Sequence, residues 1–250
     1  MTSRIVLLFA VLTATATEVR GQFESPAAVA LRVVSIGSVM SGEGPMWAAD
    51  GRHVLFTSNT GGPSLWRVPV AGGSPERVAG PVSSGLVRLS PSGERLAFLS
   101  DESGNPELWI LDLATGTRNQ VTDFGARINA LAWAPDGRTI VFSAIRYGQF
   151  DLWRVDPAGG PVTRLTSDPR FETYPTWAPD GRTLYFVRSD DSWANHEVIA
   201  IPSGGGAARV VVTDRDLFDY GTIGTRARFG YPLISPDGRW VLFRSHRSGD

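Results

Sequence analysis

The chain is sparing with residues that do covalent or acid-base chemistry. It has no cysteine, which excludes disulfides, thiol nucleophiles and thiolate metal sites. Its three histidines, His53, His196 and His246, stand far apart in the sequence. Two lone histidines on loops do not make a metal site, and His53 falls at the strand position that Thr139 and Thr183 take elsewhere. Asp190-Asp191 is adjacent acidity, not a separated general acid and base. The chain contains no Gly-x-Ser-x-Gly elbow, no His-Glu-x-x-His helix and no phosphate-binding glycine loop. Asp136, Asp180 and Asp237 recur, and a calcium ladder is one reading of them. Each sits in a Pro-Asp-Gly turn, where Asp bonds its own backbone, and turn chemistry is the better account. The expectation is therefore no catalytic residue, no metal and no cofactor in this chain.

What remains is binding chemistry. Aromatic and arginine side chains are the usual anchors of binding surfaces. Those placed on variable connections are Glu43, Arg127, Phe171, Glu172 and Tyr174 before or at strand starts, and Arg146, Tyr147, Phe150, Trp193 and His196 on other loops. An insertion adds Phe218, Tyr220, Arg226, Arg228, Phe229 and Tyr231. For each of these the competing reading is plain packing. Six of the eight tryptophans, Trp47, Trp66, Trp109, Trp133, Trp153 and Trp177, recur at repeat positions and are expected in the core rather than on a sugar platform.

A repeat must position these residues. Trp133-Ala134-Pro135-Asp136-Gly137-Arg138 returns as Trp177-Ala178-Pro179-Asp180-Gly181-Arg182 and as Ile234-Ser235-Pro236-Asp237-Gly238-Arg239. Weaker copies lie at 47–52 and 89–94. The turn glycines 51, 93, 137, 181 and 238 are spaced 42, 44, 44 and 57 residues apart, a period that marks a repeat architecture. Proline pre-sets the turn backbone and glycine takes the left-handed conformation that closes a hairpin. Leu-Trp strands follow at 65–66, 108–109 and 152–153, then a glycine turn and a further short strand. One period thus spells four antiparallel strands and two tight turns, a propeller blade.

These motifs together (Trp-x-Pro-Asp-Gly-Arg, Phe-x-Ser, Asp-Leu-Trp, Gly-Gly) resemble the TolB-like β-propeller repeat, over roughly residues 40–250. The same repeat is found in TolB, the tricorn protease and the propellers that precede prolyl-oligopeptidase-type and some amidohydrolase catalytic domains. The resemblance implies an all-β propeller of four-stranded blades: about 41–80, 81–123, 124–167 and 168–214. An insertion at about 215–230 and the start of a fifth blade at about 231–250 would follow, leaving the ring incomplete. Leu31–Ile36, within the 22–40 leader, would be a ring-closing outer strand. The next Leu-Trp position falls past Asp250, so a longer parent protein of six or seven blades is expected, and the open edges of residues 22–250 should favour association.

Residues 1–21 read as a secretory signal peptide: Arg4, the apolar run Ile5–Leu12, then small residues at Ala14-Thr15-Ala16 or Val19-Arg20-Gly21. Eight apolar residues are far short of the ~20 a spanning helix needs, so no stable membrane insertion is expected after cleavage, and the protein should be periplasmic or secreted. The net charge of −1 leaves no basic footprint for nucleic acid.

Two functions fit. One is an exported, non-catalytic propeller that binds a protein or peptide. True TolB carries an α/β domain before its propeller, for which 22–40 has no room. The other is the regulatory, substrate-gating propeller of an exported hydrolase whose catalytic domain lies outside this chain. The long connections, opposite the tight turns, are where either would act.

Overall fold

In a computed structural model the described residues are 43–48, 50–59, 62–80, 82, 86–190, 195–213, 229–235 and 237–245. The proposed signal peptide, the ring-closing strand at 31–36 and most of the insertion lie outside them. The chain divides into two units, Met1–Ser84 and Gly85–Asp250.

The first unit holds one four-stranded antiparallel sheet, blade 1: β1 (Glu43–Trp47), β2 (His53–Ser58), β3 (Ser64–Pro69) and β4 (Glu76–Ala79), hydrogen-bonded in that order. Val54, Phe56 and Val68 form its small core.

The second unit repeats the plan. Blade 2 is β5 (Val87–Leu89), β6 (Arg95–Ser100), β7 (Glu107–Asp112) and β8 (Arg118–Gln120). Blade 3 is β9 (Arg127–Trp133), β10 (Ile140–Ile145), β11 (Phe150–Val155) and β12 (Thr163–Arg164). Blade 4 is β13 (Phe171–Trp177), β14 (Thr183–Ser189), β15 (Glu197–Pro202) and β16 (Arg209–Thr213). A two-stranded sheet, β17 (Phe229–Ile234) and β18 (Val241–Ser245), follows. The expected all-β architecture of four-stranded blades with part of a fifth is what the chain forms.

Why the strands stop where they do is visible in the turns. In each Pro-Asp-Gly hairpin the glycine amide donates back three residues, as Gly137 does to Ala134 at 2.9 Å and Gly181 to Ala178 at 3.0 Å. Both glycines have φ +68°, which side-chain-bearing residues rarely adopt. The turn aspartate accepts an amide two residues on: Arg138 to Asp136 and Arg182 to Asp180, each at 2.9 Å. The recurring aspartates are thus occupied in turn chemistry.

First strands neighbour first strands: β9 lies against both β5 and β13, and β13 against β17. The core lies between successive sheets. Leu108 and Ile110 of blade 2 pack with Phe142, Ala144 and Trp153 of blade 3. Val141 and Leu152, on the other face of blade 3, pack with Leu184, Phe186 and Ile199 of blade 4. Blade 3 alternates its side chains between its two neighbours, blades 2 and 4, as a strand period of two demands. Trp133 and Trp153 are buried in the first of these layers, and Trp177 packs against the second. The indole N–H of Trp133 donates to the Arg88 carbonyl at 3.0 Å, tying blade 3 to blade 2.

The first strands also carry bulges. Register slips by one residue between Glu43 and Met46, between Thr173 and Thr176, and between Gly230 and Leu233. Each of these three slips spans a residue followed by proline, Gly44-Pro45, Tyr174-Pro175 and Tyr231-Pro232, whereas β9 slips at Asn129 without one. Proline has no amide for the ladder and is accommodated at bulges, which bend the strand and re-aim side chains.

Candidate functional site: the long-connection side of blades 3 and 4

The connections opposite the tight turns carry two polar assemblies. The first belongs to blade 4. Glu172 is fully buried on β13 and faces Arg188 across the sheet, at 2.7 Å from Nη2 to Oε1, with Arg188 itself 8% exposed. Arg188 also lies 3.4 Å from Asp168. Arg170 bonds Asp168 at 2.9 Å and Glu197 at 2.9 Å. Three carboxylates and two guanidiniums thus interlock at the entry to blade 4. Burial pushes the Glu172 carboxyl above its ordinary range, against the pull of the Thr166 hydroxyl and Arg188. Asp168 moves the other way: its bonds from Arg170 hold it below the usual carboxylate value, outweighing burial.

Tyr174 follows in the bulge of β13 with φ +55°, half-buried. A bulky residue in the left-handed region is a backbone outlier that costs about 1–3 kcal/mol and persists only where its surroundings fix it.

The second assembly belongs to blade 3. Arg146 and Tyr147 lie on the exposed connection from β10 to β11. The Arg146 guanidinium sits 4.6 Å above the buried Phe124 ring and 5.9 Å from Trp153. The Arg164 guanidinium lies 5.0 Å from Tyr147 and 5.9 Å from Trp153. Arg164 also pairs with Asp151 at 2.8 Å, and Asp151 is fully buried. Phe124 and Trp153 meet edge-on at 4.7 Å. The result is a stack of cations and rings with Tyr147, 60% exposed, at its outer end.

Of the residues picked out by type, Arg146 and Tyr147 come together in one assembly and Glu172 enters the other. Arg127 is exposed at the start of β9. Phe171 is half-buried and meets the buried Phe150 edge-on at 6.0 Å. His196 is buried at 3% exposure. Glu172, Phe150 and His196 are therefore interior groups that shape the loops from beneath. Glu43, Phe229 and Tyr231 are placed by backbone only, in β1 and β17. Trp193, Phe218, Tyr220, Arg226 and Arg228 lie outside the described residues.

Residue type alone missed Asp168, Arg170, Arg188 and Glu197, and in blade 3 Phe124, Asp151 and Arg164. Aligning the repeats on their turn glycines would have exposed the central pair. Glu172 and Arg188 fall where blade 3 has Ile128 and Ala144, both buried and apolar. The Arg188 position is a buried serine in blades 1 and 2 (Ser58 and Ser100) and alanine in blade 3, so a charge there departs from the repeat, and such departures concentrate at functional or specificity sites.

On the tight-turn side, a shallow cleft of about 490 Å³ lies between blades 3 and 4, bordered by Pro135, Asp136, Arg154, Trp177 and Asp180. Its acids are the turn aspartates already bonded to backbone amides. Among the described residues, no group of three or more acids and histidines could hold a metal, and no helix is long and apolar enough to cross a membrane.

The blade repeat places the chain in a family. The model of the TolB beta propeller domain matches residues 81–226, more than half of the sequence. This chain belongs to the TolB beta propeller domain family. No curated protein matches it. Among solved structures, it is similar to a putative TolB from Agrobacterium tumefaciens at 21% identity and TM-score 0.65, covering 75% of this chain and 71% of that one. It is similar to TolB from Acinetobacter baumannii at 20% identity and TM-score 0.64, covering 88% and 58%. A structure from work on two prolyl endopeptidases shares the fold at 14% identity and TM-score 0.55, covering 76% of this chain but 31% of that chain. The chain thus spans about seven tenths of the first TolB structure, under three fifths of the second and about a third of the peptidase structure. At these identities the likeness is one of TolB-type propeller architecture.

Proposed function

We propose that this protein is an exported propeller that binds a protein or peptide without acting on it chemically, through the long-connection side of blades 3 and 4. The observation that carries the reading is the Arg146–Tyr147 stack. Its outer residues are exposed hot-spot types, and buried rings hold them in place from below. The clamped entry to blade 4 supplies a rigid neighbour, since a site is precise only when its support is fixed. Membership of the TolB propeller family supports binding as the role, and residues 1–21 support export.

The test is affinity selection of peptides from a random display library on the whole chain. Selected peptides are then measured by calorimetry against Arg146→Ala/Tyr147→Ala and against Arg154→Ala, on the tight-turn side. Loss of about 2 kcal/mol or more in the first variant alone is expected. Peptides that lose affinity only with Arg154→Ala would move binding to the opposite cleft and end this reading.

A substrate-gating propeller of an exported hydrolase is the second reading. The shared fold of the prolyl endopeptidase structure favours it. Its test is the reading frame that encodes this chain. A Gly-x-Ser-x-Gly elbow in the same polypeptide would support it, and further blades followed by a stop would not.

A further inference from the structure

The two assemblies differ in how their cations are used. In blade 4 both guanidiniums are paired: Arg170 with Asp168 and Glu197, Arg188 with Glu172 and Asp168. In blade 3, Arg164 is paired with Asp151. Arg146 is exposed and, among the described residues, no carboxylate pairs with it. Arg127, exposed at the start of β9 opposite Ile145, has no carboxylate partner among those residues either. Asp123, the acid next to Phe124 in sequence, is exposed and makes no ion pair there.

Stacking does more than hold Arg146 in place. A guanidinium lying on an aromatic face keeps its in-plane N–H edges free, and those edges match a carboxylate two bonds at a time. The ordering cost that a flexible arginine carries on binding has been met by Phe124 and Trp153 before any ligand arrives. Beside it stands an exposed phenol ring, the other common anchor.

Resting on the peptide-binding reading above, we infer that the β10–β11 connection anchors a carboxylate of an acidic peptide segment. Arg146 grips the carboxylate, Tyr147 packs against the segment's neighbouring side chain or backbone, and Arg127 adds long-range attraction. Charge complementarity selects this partner: Arg146 and Arg127 outnumber the one exposed acid beside them, Asp123, and the buried acid nearby, Asp151, is already used by Arg164.

The experiment uses the whole chain and two sets of fluorescein-labelled octapeptides, one rich in Asp and Glu, the other with Asn and Gln in the same places. Anisotropy should show the acidic set binding about tenfold tighter at low salt, with the margin shrinking as salt rises. Arg146→Gln should abolish the margin and Arg146→Lys should keep only part of it, because lysine keeps the charge but not the planar fork. Arg154→Gln should leave it intact. Unchanged thermal unfolding of Arg146→Gln would show that the fold is retained. Equal binding of the two sets, or a margin that survives Arg146→Gln, would overturn the inference. If the amide set binds and Tyr147→Ala still weakens it, the peptide-binding reading stands and only the acidic preference falls. Binding of neither set up to about 1 mM defeats both. An acidic oligosaccharide that needs Arg146 while acidic peptides do not bind would likewise overturn it.

Discussion

Blades 3 and 4 share strand register and turn chemistry, 44 residues apart, yet they spend the same position differently. Ile128 of β9 pairs with Ala144 of β10, and both are buried in the layer toward blade 2. Glu172 of β13 pairs with Arg188 of β14, and the pair lies in the corresponding layer toward blade 3. The apolar pair gains from leaving water. The ionic pair costs desolvation on both groups, and its attraction and hydrogen bonds offset that cost only if every partner stays. Blade 4 therefore has a more specified entry than blade 3, held by a network that fails if one member is removed. Blade 3 leaves its arginine at the surface.

The largest test of this difference is Arg188→Ala. It strands a fully buried carboxylate and should cost about 3–5 kcal/mol in urea unfolding. The transplant Glu172→Ile/Arg188→Ala installs the blade 3 pair and should recover most of that loss. Buried ion pairs replaced by apolar residues are often neutral or up to about 4 kcal/mol more stable, provided the volume is filled. A double variant as unstable as Arg188→Ala would show that blade 4 needs the charges for its packing.

Thr166→Val comes next. The Thr166 hydroxyl accepts the Leu152 amide of blade 3 at 2.9 Å and, from nearby, pulls the Glu172 carboxyl of blade 4 down against the effect of burial. Valine keeps the shape and removes the Leu152 bond together with that pull on the carboxyl, at a cost of about 1–3 kcal/mol. In the background of the apolar transplant the cost should shrink, because only the amide is then left without its partner. The difference between the two backgrounds, read as a double-mutant cycle, measures how far blade 3 and blade 4 are coupled through this hydroxyl.

A smaller effect tests what the blades have in common. Gly137→Ala and Gly181→Ala each place a Cβ at φ +68° with only ordinary van der Waals contacts around it. Each should cost about 1–2 kcal/mol from backbone strain alone. Equal costs would confirm that the hairpins are interchangeable and that the two blades diverge only at the opposite end.

The contrast also explains what could be read from the sequence. The blades were legible because the Pro-Asp-Gly turns and Leu-Trp strands are local chemistry: each residue acts within a few positions of itself. The Arg146–Tyr147 pair was legible by type and by its place on a variable connection. The blade 4 network was not. Asp168, Arg170, Glu172, Arg188 and Glu197 come from two strand starts, one strand end and a loop, and only the β13–β14 and β14–β15 pairings bring them together. The burial of Phe150, which meets Phe171 of the next blade, and of His196 was hidden too, since the sequence shows only loop-flanking positions.

The subtlest test separates two acids of one network by the sign of their pH dependence. Glu172 has its pKa raised in the folded protein, chiefly by burial, above an ordinary value of 4.5. The folded state then holds the proton more tightly than the unfolded state, so stability from this group is fully present below 4.5 and is lost as pH rises through the folded value. Asp168 is depressed below 3.8, chiefly by its bonds from Arg170. Its contribution is present above 3.8 and is lost as pH falls through the folded value. Urea midpoints of the parent, Glu172→Gln and Asp168→Asn, measured from about pH 3 to about pH 7, should separate the two. Relative to the parent, Glu172→Gln should flatten the decline on the neutral side and Asp168→Asn the decline on the acid side. A Glu172→Gln curve parallel to the parent would mean that Arg188 fully compensates the burial of the carboxylate. The ionic entry to blade 4 would then carry no more desolvation cost than the Ile128–Ala144 pair of blade 3.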